Sequence, residues 1–275
     1  MQPTIEYRIK PPKGLSLNLK EIWQYKELFY FFTWRDIKVK YKQTVLGFLW
    51  AVLQPFLTML IFAFFFGNLL RVPSDGLPYP IFAFSGLIIW NVFAGGLTSS
   101  ANSMVSNANI IKKIYFPRLI IPMSSILVSA FDFFMAFAVF VGLMIYYHIA
   151  FSWMLFVYVP ASLLLTIVTV FGAGSLLAAL NVKYRDFRYI IPFLVQALMF
   201  LTPVIYPVSI ITYPWAKYLI ALNPMSGAVN LMRGALIQSP PDMQLLLISV
   251  ISAVVLFFAG LLYFKKTEAY FADIA

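Results

Sequence analysis

Between Leu119 and Leu180 the chain runs for 62 residues with a single charged side chain, Asp132. No other feature so limits what it can fold into. A helix needs about 20 apolar residues to cross the hydrocarbon core of a bilayer. The run is too long for one crossing and suits two, with a turn near Tyr147 to Trp153. The rest of the chain agrees: 62% of residues are hydrophobic, only 11% are charged, and the mean hydropathy is +0.86. A soluble domain carries about 25% charged residues. The sequence therefore predicts an all-α integral membrane protein. Cysteine is absent, which removes disulfides, thiolate metal sites and thiol catalysis.

Four further apolar stretches are spaced along the 275 residues. With the two halves of the long run, they predict six transmembrane helices at about 45–70, 80–100, 119–147, 152–180, 190–208 and 243–264. The stretch 209–238 is apolar but interrupted by Pro214, Lys217, Asn223-Pro224, Gly227, Arg233 and Gly234. Irregular backbone at membrane depth is tolerated where protein or a water-filled cavity surrounds it. The stretch reads as a re-entrant helical hairpin between spans five and six, with two half-helices joined near Asn223-Pro224. A seventh span is the alternative.

The cations arbitrate. With six spans, residues 1–44, 101–118, 181–189 and 265–275 share one side and carry nine, three, three and two of the 20 Lys and Arg. The other side keeps only Arg71, Lys217 and Arg233. Cytoplasmic loops are enriched in Lys and Arg, so both termini are expected in the cytoplasm. This divides the chain into a cytoplasmic segment 1–44, a membrane domain 45–264 and a cytoplasmic tail 265–275. The first 30 residues are largely polar and basic, without the apolar core and small-residue cleavage site of a leader peptide. The net charge of +10 reads as membrane topology, not as nucleic-acid binding, because the cations sit at the ends of apolar stretches.

Three cytoplasmic stretches stand out. Ile22, Tyr25, Phe29 and Phe32 recur at helical spacing opposite Lys20, Glu21, Gln24 and Glu27, which predicts an N-terminal amphipathic helix in the membrane interface. It leads into "FFTWRDIKVKYKQT", residues 31–44, where Trp34, Ile37 and Tyr41 form one stripe and Arg35, Lys38 and Lys42 the next. Such a stretch anchors the first span, and it also offers cations to anionic lipid head groups or a phosphate-bearing substrate at the cytoplasmic leaflet. Trp34, Arg35, Asp36, Lys38, Lys42 and Arg185 are the candidate residues for this entrance. Residues 100–122, "SANSMVSNANIIKKIYFPRLIIP", mix polar side chains with a short apolar face, and composition alone leaves a plain solvated loop as the simpler reading. In "LNVKYRDFRYIIP", residues 180–192, cations again mark a membrane edge, and Arg185 and Asp186 are candidate partners for Arg35 and Asp36.

Asp132 is the lone carboxylate of its span. An ionisable group there is a functional candidate by default; the competing reading is a structural carboxylate bonded to a neighbouring helix. His148 has no second His or carboxylate nearby in sequence, so no metal site is expected.

These stretches together resemble the permease subunit of ABC exporters for polysaccharides, of the O-antigen and teichoic acid export type. The residues that carry the resemblance are Trp34-Arg35-Asp36-Ile37, Lys40-Tyr41-Lys42, Leu46-Gly47, Trp50 and Pro55 near the start. In the middle they are Asn109, Ile110-Ile111-Lys112-Lys113, Phe116-Pro117-Arg118 and Pro122, and later Asn181-Val182, Tyr184-Arg185-Asp186, Pro192, Thr202-Pro203, Tyr206-Pro207 and Asn223-Pro224. The resemblance spans roughly residues 25–264, and the order and spacing of the motifs make it specific. It implies a homodimer in the bacterial cytoplasmic (inner) membrane, working with two copies of a cytoplasmic ABC ATPase subunit. It implies that Asn107, Asn109, Ile110, Ile111, Lys112, Lys113, Phe116, Pro117 and Arg118 belong to a coupling loop that docks on that ATPase, against the simpler loop reading. The implied substrate is a polyprenyl-linked polysaccharide, passing through a channel at the dimer interface with Trp50, Phe56 and Phe200 as lining candidates.

The chain contains no GxxxxGK[ST] phosphate loop. No cofactor is expected on it, and ATP and Mg are expected on the partner. It reads as a transporter subunit and not an enzyme. An ion-coupled secondary transporter is the alternative in a second class, but internal repeats are not visible and Asp132 is the sole candidate coupling group. An enzyme handling polyprenyl lipids needs clustered carboxylates or His, which the apolar region does not offer.

Overall fold

A computed structural model describes residues 19–42, 49–268 and 271. The expectations for the segment before residue 19, for the start of the first span at Val45 with Leu46-Gly47, and for residues 272–275 of the tail lie outside the described residues. Among the described residues every regular element is helical. The order is α1 (Leu19–Gln24), α2 (Lys26–Lys42), α3 (Leu49–Phe62, continued by a π-wound stretch Ala63–Leu69), α4 (Tyr79–Ser106), α5 (Ala108–Ile111), α6 (Ile120–Tyr146), α7 (Met154–Lys183), α8 (Phe187–Leu201), α9 (Pro214–Ala221), α10 (Pro224–Ile237) and α11 (Met243–Thr267).

Five of these are long and apolar enough to cross a membrane: α3 with its π-wound continuation, α4, α6, α7 and α11. The chain is a multi-pass membrane protein. The long apolar run folds as α6 and α7, and the turn between them closes where Ile149 N–H donates to the Met144 carbonyl at 2.9 Å and His148 takes φ +54°. The stretch 190–208 behaves differently from the expected span. Its helix, α8, has 15 residues and stops at Leu201, a length of about 22 Å against a hydrocarbon core of about 30 Å. The residue before a proline is driven out of the α region, and Thr202, before Pro203, is extended at φ −90°, ψ 138°.

The chain then turns back. Asn223 caps α10 by accepting from Met225 N–H at 3.0 Å, and its amide donates to Thr202 Oγ1 at 2.8 Å. Pro224 occupies the first turn, where its missing N–H costs nothing. Nearly all of α10 is buried, packed on α4, α7 and α11. Arg233, on α10, reads in the sequence as a charge at the outer membrane edge. In the structure it is buried at 3% exposure. Its guanidinium donates to the carbonyls of Pro203 and Val204, each at 2.6 Å, and of Tyr206 at 3.3 Å. It lies 3.6 Å over the Phe82 ring. Tyr79 Oη donates to the carbonyl between Val204 and Tyr206, that of Ile205, at 2.8 Å. The broken backbone after α8 is thus satisfied by side chains from α4 and α10.

α4 is the central post and the most buried long helix, packed on α6 and α7. The main core gathers around it from Met59, Phe84, Trp90, Phe93, Phe140, Val170 and Met232. A second core at one end joins α2, the α5 loop and the last turns of α7 and α11 through Phe32, Met104, Ile111, Phe116, Val182 and Phe264. Where α7 crosses α11 the backbones touch: a Cβ built on Gly260 would lie 1.9 Å from the Gly172 carbonyl oxygen.

Gly260→Val must push these helices apart. Overpacking costs typically about 1–3 kcal/mol, and here the opposing atoms are backbone, so the upper part of that range is expected. A lowered unfolding midpoint for the detergent-purified protein is the measurement. Gly142→Ala meets nothing within 4 Å and is expected to leave the midpoint unchanged.

Candidate functional site at the α2 and α5 end

The second core places most of the residues singled out in the sequence at one end of the molecule. α1 and α2 are separated by a single turn residue, Tyr25. The stripe Ile22, Tyr25, Phe29 and Phe32 forms as expected, but it packs on the protein's own second core. The opposite side keeps Trp23, Tyr30, Phe31 and Trp34 exposed. α2 is therefore aromatic on both sides and clamped to the bundle, which differs from an amphipathic helix with its apolar stripe turned to lipid. An aromatic outer side with cations is what an interface requires: Lys38 sits 5.2 Å over Trp34, and Trp34 stacks on Tyr30.

Three contacts fix α2 along its length. Phe32 packs against Phe116 with ring centroids 5.8 Å apart. Arg35 donates through Nε and Nη2 to Asp36 at 2.9 and 2.7 Å, and through Nη2 to Asn107 Oδ1 at 2.9 Å. At the far end Lys40 and Tyr41 both donate to Asp132 of α6. Asp132 lies about 18 Å along α6 from Ile120 at 1.5 Å per residue, so α2 rises beside the first half of α6. The lone carboxylate is bonded to a neighbouring helix, in keeping with the structural reading. Arg35 and Asp36 pair with each other, and Arg35 also bonds Asn107. The expected pairing with Arg185 and Asp186 is not formed: both are exposed on the turn between α7 and α8. Lys42 is also exposed at the end of α2.

The loop after α4 divides into two sets. Asn107 is buried and donates to the Ser103 carbonyl at 2.8 Å while accepting from Arg35. Ile111 and Phe116, at 4% and 3% exposure, and Pro117 face inward and hold the loop. Of the residues expected in the coupling loop, Ile111, Phe116 and Pro117 turn their side chains into the protein, so they can shape the loop but offer little surface for direct contact. The exposed tip is Asn109, Lys112, Lys113, Ile114 and Tyr115, with Ile110 half-buried beneath it. Ile114 and Tyr115, at 60% and 79% exposure, stand at the same tip although the sequence motifs did not single them out; two large apolar side chains between Lys112-Lys113 and Phe116-Pro117 are the signal that marks them. Arg118 closes the loop on the end of α11, its N–H donating to Glu268 Oε1 at 3.2 Å and its guanidinium to the Glu268 carbonyl. Lys265 donates to the same carboxylate at 2.8 Å. Desolvation, with Glu21, Glu268 and Tyr25 close by, raises the Tyr115 hydroxyl above its ordinary pKa.

The three aromatic candidates on the apolar helices are spread out. Trp50 and Phe200 are exposed on the surface of the single chain, on α3 and α8, and Phe56 is partly buried against the main core. Among the described residues there is no group of three or more His, Cys, Asp or Glu able to hold a metal ion.

Known proteins are similar to this chain in sequence over most of its length. The O-antigen export system permease protein RfbA of Klebsiella pneumoniae is 28% identical over 263 residues, covering 94% of this chain and 100% of the relative. The protein of the same name from Myxococcus xanthus is 28% identical over 93% of this chain and 98% of its own length. The polysialic acid transport protein KpsM of Escherichia coli is 24% identical over 86% of this chain and 92% of its own. Residues 27–237, from the first turn of α2 to the end of α10, match the family model described as ABC-2 type transporter, and the chain belongs to that family.

Proposed function

We propose that the chain is the permease subunit of an ATP-driven exporter that carries a lipid-linked polysaccharide out of the bacterial cytoplasm across the inner membrane. The carrying observation is the full-length similarity to O-antigen and polysialic acid export permeases, joined to an end of the molecule built to present a short loop. ATP and Mg belong on a separate cytoplasmic ABC ATPase, of which two copies serve a homodimer of this chain. No catalytic chemistry is assigned to the permease itself.

In this reading α8 is the fifth of six spans, a short one, and α9 and α10 follow it as a re-entrant hairpin on the outer side. Both termini, the α5 loop and the α7–α8 turn are cytoplasmic, following the cations. The tip Asn109, Lys112, Lys113, Ile114 and Tyr115 docks on the ATPase, and Asn107, Ile111, Phe116 and Arg118 fix its angle. Trp34, Lys38, Lys42 and Arg185 offer a basic, aromatic entrance to a lipid-linked anion, while Arg35 and Asp36 tie α2 to the loop. Trp50 and Phe200 lie on faces that a second copy would turn toward a shared channel. Deleting the gene and restoring it on a plasmid tests the reading: export of a surface glycan must be lost and regained, and regained only with an ATPase whose phosphate-loop Lys is intact. Movement of substrate by the purified chain down an ion gradient would sink it in favour of a secondary transporter.

Ile114→Asp and Tyr115→Asp alter exposed side chains, where stability changes stay within about 0.5 kcal/mol. Inserted protein is expected at the wild-type level, with loss of ATPase copurification and of export. Phe116→Asp, by contrast, is expected to lower the folded yield itself. Arg35→Ala removes the hydrogen bonds that join α2 to Asn107. Charged hydrogen bonds contribute about 1.5–3 kcal/mol, so export is expected to fall about tenfold at unchanged inserted protein. Equal losses of both would make Arg35 a plain membrane anchor.

A further inference from the structure

A cavity of about 240 Å³ opens between the end of α2 and helices α3, α4 and α6, and it contains Lys40, Tyr41, Trp50, Gln54, Asn91 and Asp132 among its lining. Its polar groups are of a particular kind. Lys40 and Asp132 form an ion pair, so their charges cancel. The side-chain amides of Gln54 and Asn91 make no hydrogen bond to the described residues, although both sit on helices apolar enough to cross a membrane. Polar groups at such positions face the interior or water. Pro55 lies inside α3 and has no N–H to give to the carbonyl four residues earlier, Ala51. Ala51 and Pro55 both line the cavity. The site thus offers two amides, each donor and acceptor, and a carbonyl in need of a donor, with a half-exposed indole at its side.

We propose that this cavity binds one sugar ring of the exported glycan through its hydroxyl groups, and that it is not a phosphate site. The proposal deepens the polysaccharide-export reading and rests on it. A lipid-linked diphosphate, fully ionised at neutral pH, only accepts hydrogen bonds and is favoured by net positive charge. The cavity has no net charge, and the Ala51 carbonyl requires a donor. A pyranose hydroxyl both donates and accepts, which suits amides and carbonyl alike, and the C–H face of the ring packs on an indole. The volume lies below the range of about 300–1,000 Å³ of drug-sized pockets and matches a single ring better than a chain. Pro55 is the specificity-making residue in this account, because it frees the acceptor.

The test uses the permease with its ATPase in lipid nanodiscs and a panel of methyl glycosides of glucose, galactose, mannose and N-acetylglucosamine, read by saturation-transfer NMR. At least one glycoside is expected to bind the wild-type complex, with affinity about fivefold or more weaker in Gln54→Leu and in Asn91→Leu. Excess inorganic pyrophosphate is expected not to displace it. Gln54 is exposed, so Gln54→Leu keeps the fold, which the elution profile and the thermal unfolding midpoint verify. Absence of glycoside binding to a complex that exports glycan in cells overturns the sugar site and leaves the export reading standing. So does equal binding by the variants, or displacement by pyrophosphate. Failure of the wild-type chain to support export of any glycan overturns both.

Discussion

An apolar chain that leaves the helix among apolar neighbours must find donors for its freed carbonyls, and Arg233 is the donor on which this fold turns. Three carbonyls at the end of α8 converge on one guanidinium, and Tyr79 takes the fourth. Unsatisfied buried polar groups cost about 1–3 kcal/mol each, so the turn at 202–207 exists only with these partners in place. Because the turn is stable, α8 can stop after 15 residues and α9 and α10 can fold back. Because α10 folds back, it fills the space between α4, α7 and α11. Gly86 belongs to the same device, since a Cβ there would lie 3.1 Å from Arg233 Nη2.

The parts of the fold that depend on length and charge were legible in the sequence. The charge-poor run from Leu119 became α6 and α7, turning within residues 147–153, because two helices are the way to place so long an apolar segment in lipid. Asn223-Pro224 marked the joint of the helix pair, because Asn caps and Pro starts a helix without loss. The end of α8 was less legible. Apolarity continues past Leu201, and the Thr202-Pro203 break counts only once Arg233, thirty residues away, is known to receive it. A cation read by position alone goes to the membrane edge, whereas this one is solvated by carbonyl dipoles in the interior.

The same distinction governs the site. The motifs at residues 107–118 identified the loop as a unit, but not which side chains face out. Lys112 and Lys113 are exposed, while Ile111 before them and Phe116 after them enter the second core. Burial here is decided by α2, whose stripe supplies the other half of that core, and a contact across 84 positions, Phe32 with Phe116, has no local signature. Asp132 was visible as an oddity for the same reason that its partners were not: an unpaired charge is evident in an apolar run, and Lys40 and Tyr41 lie in a stretch with charges to spare.

These contacts make α2 a rod held at two heights. Arg35 grips Asn107 on the loop, and Lys40 and Tyr41 grip Asp132 on α6, about 8–9 Å further along the helix axis. A helix of 17 residues resists bending over that distance, since each turn is closed by its own hydrogen bonds. A displacement of the loop therefore has two outcomes. Either the charged hydrogen bond to Asn107 breaks, or the displacement reaches the mouth of the cavity, where Lys40 and Asp132 stand. The bond to Asn107 is reinforced by Asp36 on the same guanidinium and by Phe32 beneath it, at 4.8 Å. The Lys40–Asp132 pair leaves 45% of the Lys40 side chain accessible in the single chain, and Tyr41 adds a second donor to the same carboxylate. Both joints are charged and doubly held, so a displacement of the loop is carried along α2 to the mouth of the cavity, where Lys40 and Asp132 stand.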